Sequence, residues 1–109
     1  MKRIGMTIGI KADHIAAYEA IHAASSKGVR DLLNKYHIHN FSIYMQELDD
    51  HRFYLFGYYE YTGDDYKSDM EQLDSEPRNR DWLGMTAPMQ IPLRGSPAWT
   101  IMREVYHNP

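Results

Sequence analysis

Tyr18 and His22 stand four residues apart in a segment whose residues at steps of three and four are, Ser25 aside, otherwise core-forming, so on a helix their side chains emerge one turn apart on one face. An unperturbed imidazole has a pKa of ~6.5 and is about a quarter protonated at pH 7, so one such group can both give and accept protons. A His–Tyr pair with no metal, nucleophile or cofactor beside it fits reversible proton exchange on a neutral polar molecule, as in an isomerisation. Glycosidic hydrolysis fits less well, because it normally uses two carboxylates at a defined separation and no such pair is identifiable. The same two residues are also what a core histidine bonded to a backbone carbonyl, with a tyrosine at the core edge, would look like.

The rest of the chain narrows the chemistry further. There is no cysteine, which excludes disulfides, thiolate nucleophiles and Cys-type zinc sites. Six histidines are scattered without metal spacing; His37 and His39 share a strand face but lack a third ligand. Neither a G-x-G-x-x-G nor a P-loop occurs among the seven glycines. No cofactor is therefore expected. Twelve basic against fifteen acidic residues give a formal charge of −3, without the basic excess that phosphate-backbone binding demands, so nucleic acid is not expected as a partner. No apolar run approaches the ~20 residues of a membrane helix, and MKRIGMTIGIKAD is charged too soon for a signal peptide; a cytoplasmic location is expected. Nine tyrosines, three phenylalanines and two tryptophans in 109 residues suit either a pocket for a polar ligand with apolar faces, such as a sugar, or an aromatic dimer interface. Phe41 and Trp82 are core residues by default, but Trp82 could also stack on a sugar ring. Asp81 beside it reads by default as a solvated helix charge.

These side chains need elements to position them, and the length allows one domain spanning residues 1–109. Ile4, Met6, Ile8 and Ile10 alternate over 3–10, the pattern of a half-buried strand. Asp13 is placed to cap a helix over about 13–36, whose stripe runs Ile15, Tyr18, His22, Ser25, Val29, Leu32, Tyr36. Ser25, Ser26 and Gly28 predict a bend or thin spot just after His22. HIHNFSIYMQEL and RFYLFGYYEY, joined through Asp49–His51, predict a hairpin. Its strands carry large side chains on both faces, with Phe41, Ile43 and Met45 on one side and Tyr44 on the other, so the sheet needs two covers: helices on one face and a second subunit on the other. A short helix after Gly63–Asp65, another turn from Pro77 and a helical run to about Gln90 precede a last strand, AWTIMREVYH. The order β-α-β-β-α-β is the split βαβ arrangement of an α+β, ferredoxin-like domain with an antiparallel four-stranded sheet and helices on one face. That architecture hosts many activities.

Y-x-x-x-H at 18–22, HNFSIY at 39–44, FYLFGYYEY at 53–61, R-x-W at 80–82 and EVYH at 104–107, in this order, resemble the L-rhamnose mutarotase family across essentially the whole chain. The resemblance implies a dimeric α+β barrel of ferredoxin-like subunits. It also implies cofactor-independent interconversion of the α and β anomers of a 6-deoxy sugar. His22 matches the family's proton-transfer histidine and Tyr18 a substrate-contacting tyrosine. Position 41 is Phe where a family member has a substrate-contacting tyrosine, and the family's tandem tryptophans appear here as Asp81–Trp82. One missing hydroxyl contact corresponds to ~0.5–1.5 kcal/mol, and a carboxylate in the pocket favours donating sugar hydroxyls, so L-fucose stands beside L-rhamnose as the expected substrate. In the expected mechanism protonated His22 donates to the ring oxygen while Asp81 or a water takes the anomeric proton. Two other classes stay open: a ferredoxin-like monooxygenase acting on haem or a polycyclic aromatic, and a non-catalytic sugar-binding domain.

Overall fold

In the computed structural model, which describes residues 1–109, the chain forms five strands and four helices. The strands are β1 (Lys2–Ile10), β2 (Ile38–Glu47), β3 (Phe53–Tyr61), β4 (Gln90–Ile91) and β5 (Thr100–Met102). The helices are α1 (Ile15–Ile21), α2 (Arg30–Lys35), α3 (Tyr66–Ser75) and α4 (Pro77–Thr86). The sheet order is β2-β3-β1-β4, with every pairing antiparallel. β1 and β3 are matched along their whole length, from Lys2 opposite Tyr61 to Ile10 opposite Phe53. The free edge of β1 is shared: β4 pairs with Gly9 and Ile10, β5 with Gly5 to Thr7. This is the expected α+β ferredoxin-like order with its last strand in two pieces. No helix is long and apolar enough to cross a membrane.

The alternation in β1 directs Met6, Ile8 and Ile10 under the helices, where Leu55, Tyr59 and Tyr61 of β3 join them. In β2 the register shifts between His39 and Ser42, with Asn40 at φ 51°. That bulge changes the phase of the strand, so Ile38 before it and Phe41 and Ile43 after it share the helix-covered face. His37, expected within this strand, lies in the turn before it at φ 68°. The apolar core divides into two clusters. The larger joins Val29, Leu32, Tyr36 and Leu73 to Met6, Ile38 and Tyr59; the smaller sets Tyr18 against Ile8, Ile10 and Leu55.

The first helix departs most from expectation. Instead of one helix over 13–36, α1 stops at Ile21 and α2 starts at Arg30. Gly28 takes the left-handed φ of +54°, which a side chain would strain. The carbonyls left open where α1 ends accept the Arg30 guanidinium, at His22 (2.8 Å), Ala23 (3.2 Å) and Ser26. Asp13 is not the N-cap; its carboxylate pairs with His14 at 3.0 Å, and a turn of 3-10 helix over Ala12–His14 leads into α1.

Later elements follow their signals more closely. Asp65 caps α3 by accepting from the Ser68 amide, and Pro77 is the first residue of α4, where its missing N–H has no helical partner to lose. α4 ends at Thr86, short of the expected Gln90. Ala87–Met89 form a 3-10 turn instead, and Gln90 opens β4. The last strand spans 100–102 rather than 98–107. Beyond it 103–109 are exposed, tied at Glu104 to Arg3 by a 3.0 Å ion pair. On the sheet face away from the helices, Tyr54, Phe56 and Tyr58 are half-buried and Tyr44 is 68% exposed.

Candidate functional site

Between the helices and the sheet lies a cavity of about 780 Å³, within the range of small-molecule sites. It borders both core clusters. α1 supplies Tyr18 and His22, β2 supplies Phe41, β3 Leu55 and Tyr59, and α4 Trp82. The Tyr18 and His22 rings lie 4.2 Å apart, tilted by 31°, and the Trp82 indole meets the imidazole edge-on at 5.0 Å. Phe41 packs against Tyr59 at 5.2 Å.

His22 unites the two readings its sequence left open. Its Nδ1 lies 2.6 Å from the Tyr18 carbonyl oxygen, which can only accept, so Nδ1 carries the proton and donates. Nε2 is then the bare nitrogen, and it has no hydrogen-bond partner in the protein. Burial lowers the imidazole pKa below its ordinary value; the Tyr18 carbonyl partly offsets this, and the Arg30 charge lowers it further. The resting side chain is accordingly a neutral base at pH 7. Tyr18 is buried, and burial raises its phenol pKa while a bond from Gln90 Nε2 to its hydroxyl, at 3.4 Å, partly offsets the rise.

The wall opposite α1 is held to the chain segment after His22. The Gly28 backbone packs against the Trp82 indole, which a Cβ there would meet at 3.4 Å, ordinary contact distance, so it is the left-handed turn that asks for glycine. Arg78, one turn before Trp82, pairs with Asp31 and donates to the Gly28 carbonyl at 3.3 Å.

Of the five residues singled out from sequence, Tyr18, His22, Phe41 and Trp82 line one cavity. Asp81 does not. Asn79, Trp82, Leu83 and Thr86 of α4 face the cavity at steps of three and four, and Asp81 falls off that stripe into solvent. Sequence reasoning missed Asn79, Thr86 and Gln90, which also line it. Helical spacing from Trp82 would have found the first two. Nothing in the sequence marks Gln90, which reads as the tail of a helix. No group of three or more His, Asp or Glu side chains comes together as a metal site would require.

The sequence profile of the L-rhamnose mutarotase family matches residues 3–108. No curated protein matches the chain. Among solved structures, the L-rhamnose mutarotase FA22100 from Formosa agariphila superposes with a TM-score of 0.74 at 18% identity, covering all of both chains. A candidate antibiotic biosynthesis monooxygenase from Nitrosomonas europaea superposes with a TM-score of 0.57 at 16% identity, covering 96% of this chain and all of its own. At such identities these neighbours speak for the fold, and the activity is carried by the profile, which spans nearly every residue: the chain belongs to the L-rhamnose mutarotase family.

Proposed function

We propose that the chain interconverts the α and β anomers of a 6-deoxyhexose such as L-rhamnose or L-fucose by opening and closing the pyranose ring, with His22 as the proton-transfer residue. The observation that carries this reading is the bare Nε2 of a neutral, half-buried imidazole facing a cavity with ample room for a monosaccharide. His22 takes the proton of the anomeric hydroxyl as the bond from the anomeric carbon to the ring oxygen breaks and the ring oxygen takes a proton from water; the open aldehyde rotates, and both transfers reverse as it recloses on its other face. The order of events differs from the sequence expectation, because the tautomer makes His22 an acceptor before it is a donor, and Asp81 is too far into solvent to assist. One acid–base group contributes roughly 10²–10⁴-fold, enough for a reaction that already proceeds in water. Tyr18, Phe41 and Trp82 contact the sugar, with the flat faces of Phe41 and Trp82 covering its C–H groups.

A homodimer belongs to the same reading. The uncovered sheet face carries Tyr44, Tyr54, Phe56 and Tyr58, and the terminal segment exposes Val105 and Tyr106 beside it; a second copy would take this aromatic surface out of water. The cytoplasmic location expected from sequence is retained with it. NMR exchange spectroscopy with L-rhamnose and L-fucose tests the activity: exchange faster than buffer for at least one sugar is expected, and no acceleration of either overturns it. Sedimentation equilibrium at micromolar concentration tests the dimer, with a mass twice that of the chain expected and a monomer contradicting it.

A further inference from the structure

Asn79, in the first turn of α4, is only 5% exposed, and its Nδ2 donates to the Leu73 carbonyl at 3.2 Å. A carbonyl can only accept, so this bond fixes which end of the amide is which and turns Oδ1 the other way. Oδ1 accepts no hydrogen bond from the protein. Since no fully enclosed side-chain oxygen or nitrogen lacks a partner, this oxygen opens onto the cavity that Asn79 lines. The Leu73 carbonyl already accepts the Glu76 amide at 3.2 Å, so the Asn79 bond orients the side chain more than it serves the fold. Thr86, as deeply buried on the same stripe, shows the contrast: its hydroxyl donates to Leu83 within its own helix, at 3.4 Å. A buried acceptor with no partner is destabilising, and what can meet Asn79 Oδ1 is an O–H or N–H brought into the cavity.

The place of Asn79 on α4 says which part of a sugar that would be. It precedes Trp82 by three residues on the cavity stripe, ~4.5 Å along the axis, and Trp82 meets the His22 imidazole. In a pyranose the ring bond opposite the one that opens, between the anomeric carbon and the ring oxygen, is C3–C4. A sugar with its anomeric end at His22 and a face on Trp82 therefore carries its 3- and 4-hydroxyls away from His22, and toward Asn79 one of them meets a bare acceptor.

Resting on the mutarotase reading, we propose that Asn79 is a specificity-determining residue whose Oδ1 accepts a hydrogen bond from the hydroxyl on C3 or C4 of the bound 6-deoxyhexose. The site then takes sugars with a free O–H on the edge opposite the breaking bond, and a sugar lacking it leaves Oδ1 unpaired in an apolar wall. L-rhamnose and L-fucose share their configuration at C3 and differ at C4. A bond to the 3-hydroxyl admits both sugars, whereas a bond to the 4-hydroxyl selects between them. Asn79 takes no part in the proton transfers.

The test is anomer exchange by NMR with whichever of L-rhamnose and L-fucose the wild type turns over faster, and with the 3-deoxy-3-fluoro and 4-deoxy-4-fluoro analogues of that sugar. Each is measured against its own rate in buffer. Fluorine is close to a hydroxyl in size but cannot donate. The wild type should lose at least tenfold in kcat/KM, chiefly through KM, for at least one analogue. Asn79→Leu should show a loss of that size with the parent sugar, and its discrimination against that analogue should shrink to within threefold, because the bond is already gone. Circular dichroism melts establish that the variant is folded, with Asn79→Ala in its place if leucine is not accommodated. A wild type that treats both analogues like the parent overturns the assignment without any variant. A folded variant that discriminates as the wild type does, or keeps the wild-type KM for the parent, overturns it too. In each of these cases mutarotation stands, whereas no acceleration of either parent sugar removes both.

Discussion

The two halves of the core are built differently. Beneath α2 and α3, seven buried side chains interlock, and the polar groups at their edge are paired among themselves: Tyr59 with Tyr66 at 2.6 Å, Tyr36 with Glu76 at 2.9 Å. Beneath α1 only four residues are buried, one of them Tyr18, and the helix lasts seven residues before the chain leaves it. The first half borders the cavity too, but with apolar side chains and an already paired Tyr59, and it holds the fold. The second is open toward a cavity, and the polar groups it keeps, His22 Nε2 and the Tyr18 proton, have no partner in the protein. A short helix on an incomplete core is thus what brings an imidazole out of water without closing it off. The ion pair of Arg78 with Asp31 and the Arg30 clasp on the α1 end keep the opening in shape.

Substitutions can break that contrast. Leu32→Ala, in the larger cluster and away from the cavity lining, should lower unfolding free energy by ~2–5 kcal/mol in urea titrations while the folded fraction keeps its KM, and a loss below ~1 kcal/mol would mean that this half is not what holds the fold. Trp82→Ala, on the cavity wall, should raise KM about tenfold, or ~1.4 kcal/mol, with a smaller change in kcat; an unchanged KM would show that the indole does not meet the sugar. Asp31→Asn sharpens the comparison through pH. The Arg78 guanidinium lowers the Asp31 pKa from 3.8 to about 2. The folded-state pKa is depressed, so its contribution is present above the unfolded value and is lost as pH falls through the folded one. The gap in Tm between wild type and variant should therefore narrow from pH 4 to pH 2, and a constant gap would contradict the pairing. The smallest effect belongs to Asp81→Asn, for which stability should stay within ~0.5 kcal/mol and kcat/KM should not change. A tenfold loss of activity there would put the carboxylate back into the site.

The sheet was legible because period-2 alternation in 3–10 reads as a strand with one face under cover, and the strand formers of 53–61, large on both faces, read as a strand with two. The Tyr18–His22 pair was legible for a related reason: two polar residues on an apolar stripe must either find partners or line a space. The break at 22–29 showed as a thin spot, but its extent depends on the Arg30 guanidinium reaching back to three carbonyls, which no local propensity encodes. Asp81 entered the candidate site through its match to the family's tandem tryptophans, whereas its default reading as a solvated helix charge is where the structure has it; residues next to each other on a helix point about 100° apart. Gln90 reaches Tyr18 from 72 positions away through a two-residue strand, a contact that exists only once the sheet edge has formed.

Whether the His22 imidazole moves protons on a bound sugar is decided by the anomer exchange rate of L-rhamnose at pH 7, compared by NMR between wild type and folded His22→Ala at equal concentration. The wild type should exceed buffer, and the variant should fall by at least 10²-fold toward the buffer rate. Equal rates in the two proteins, both above buffer, would contradict the role assigned to His22.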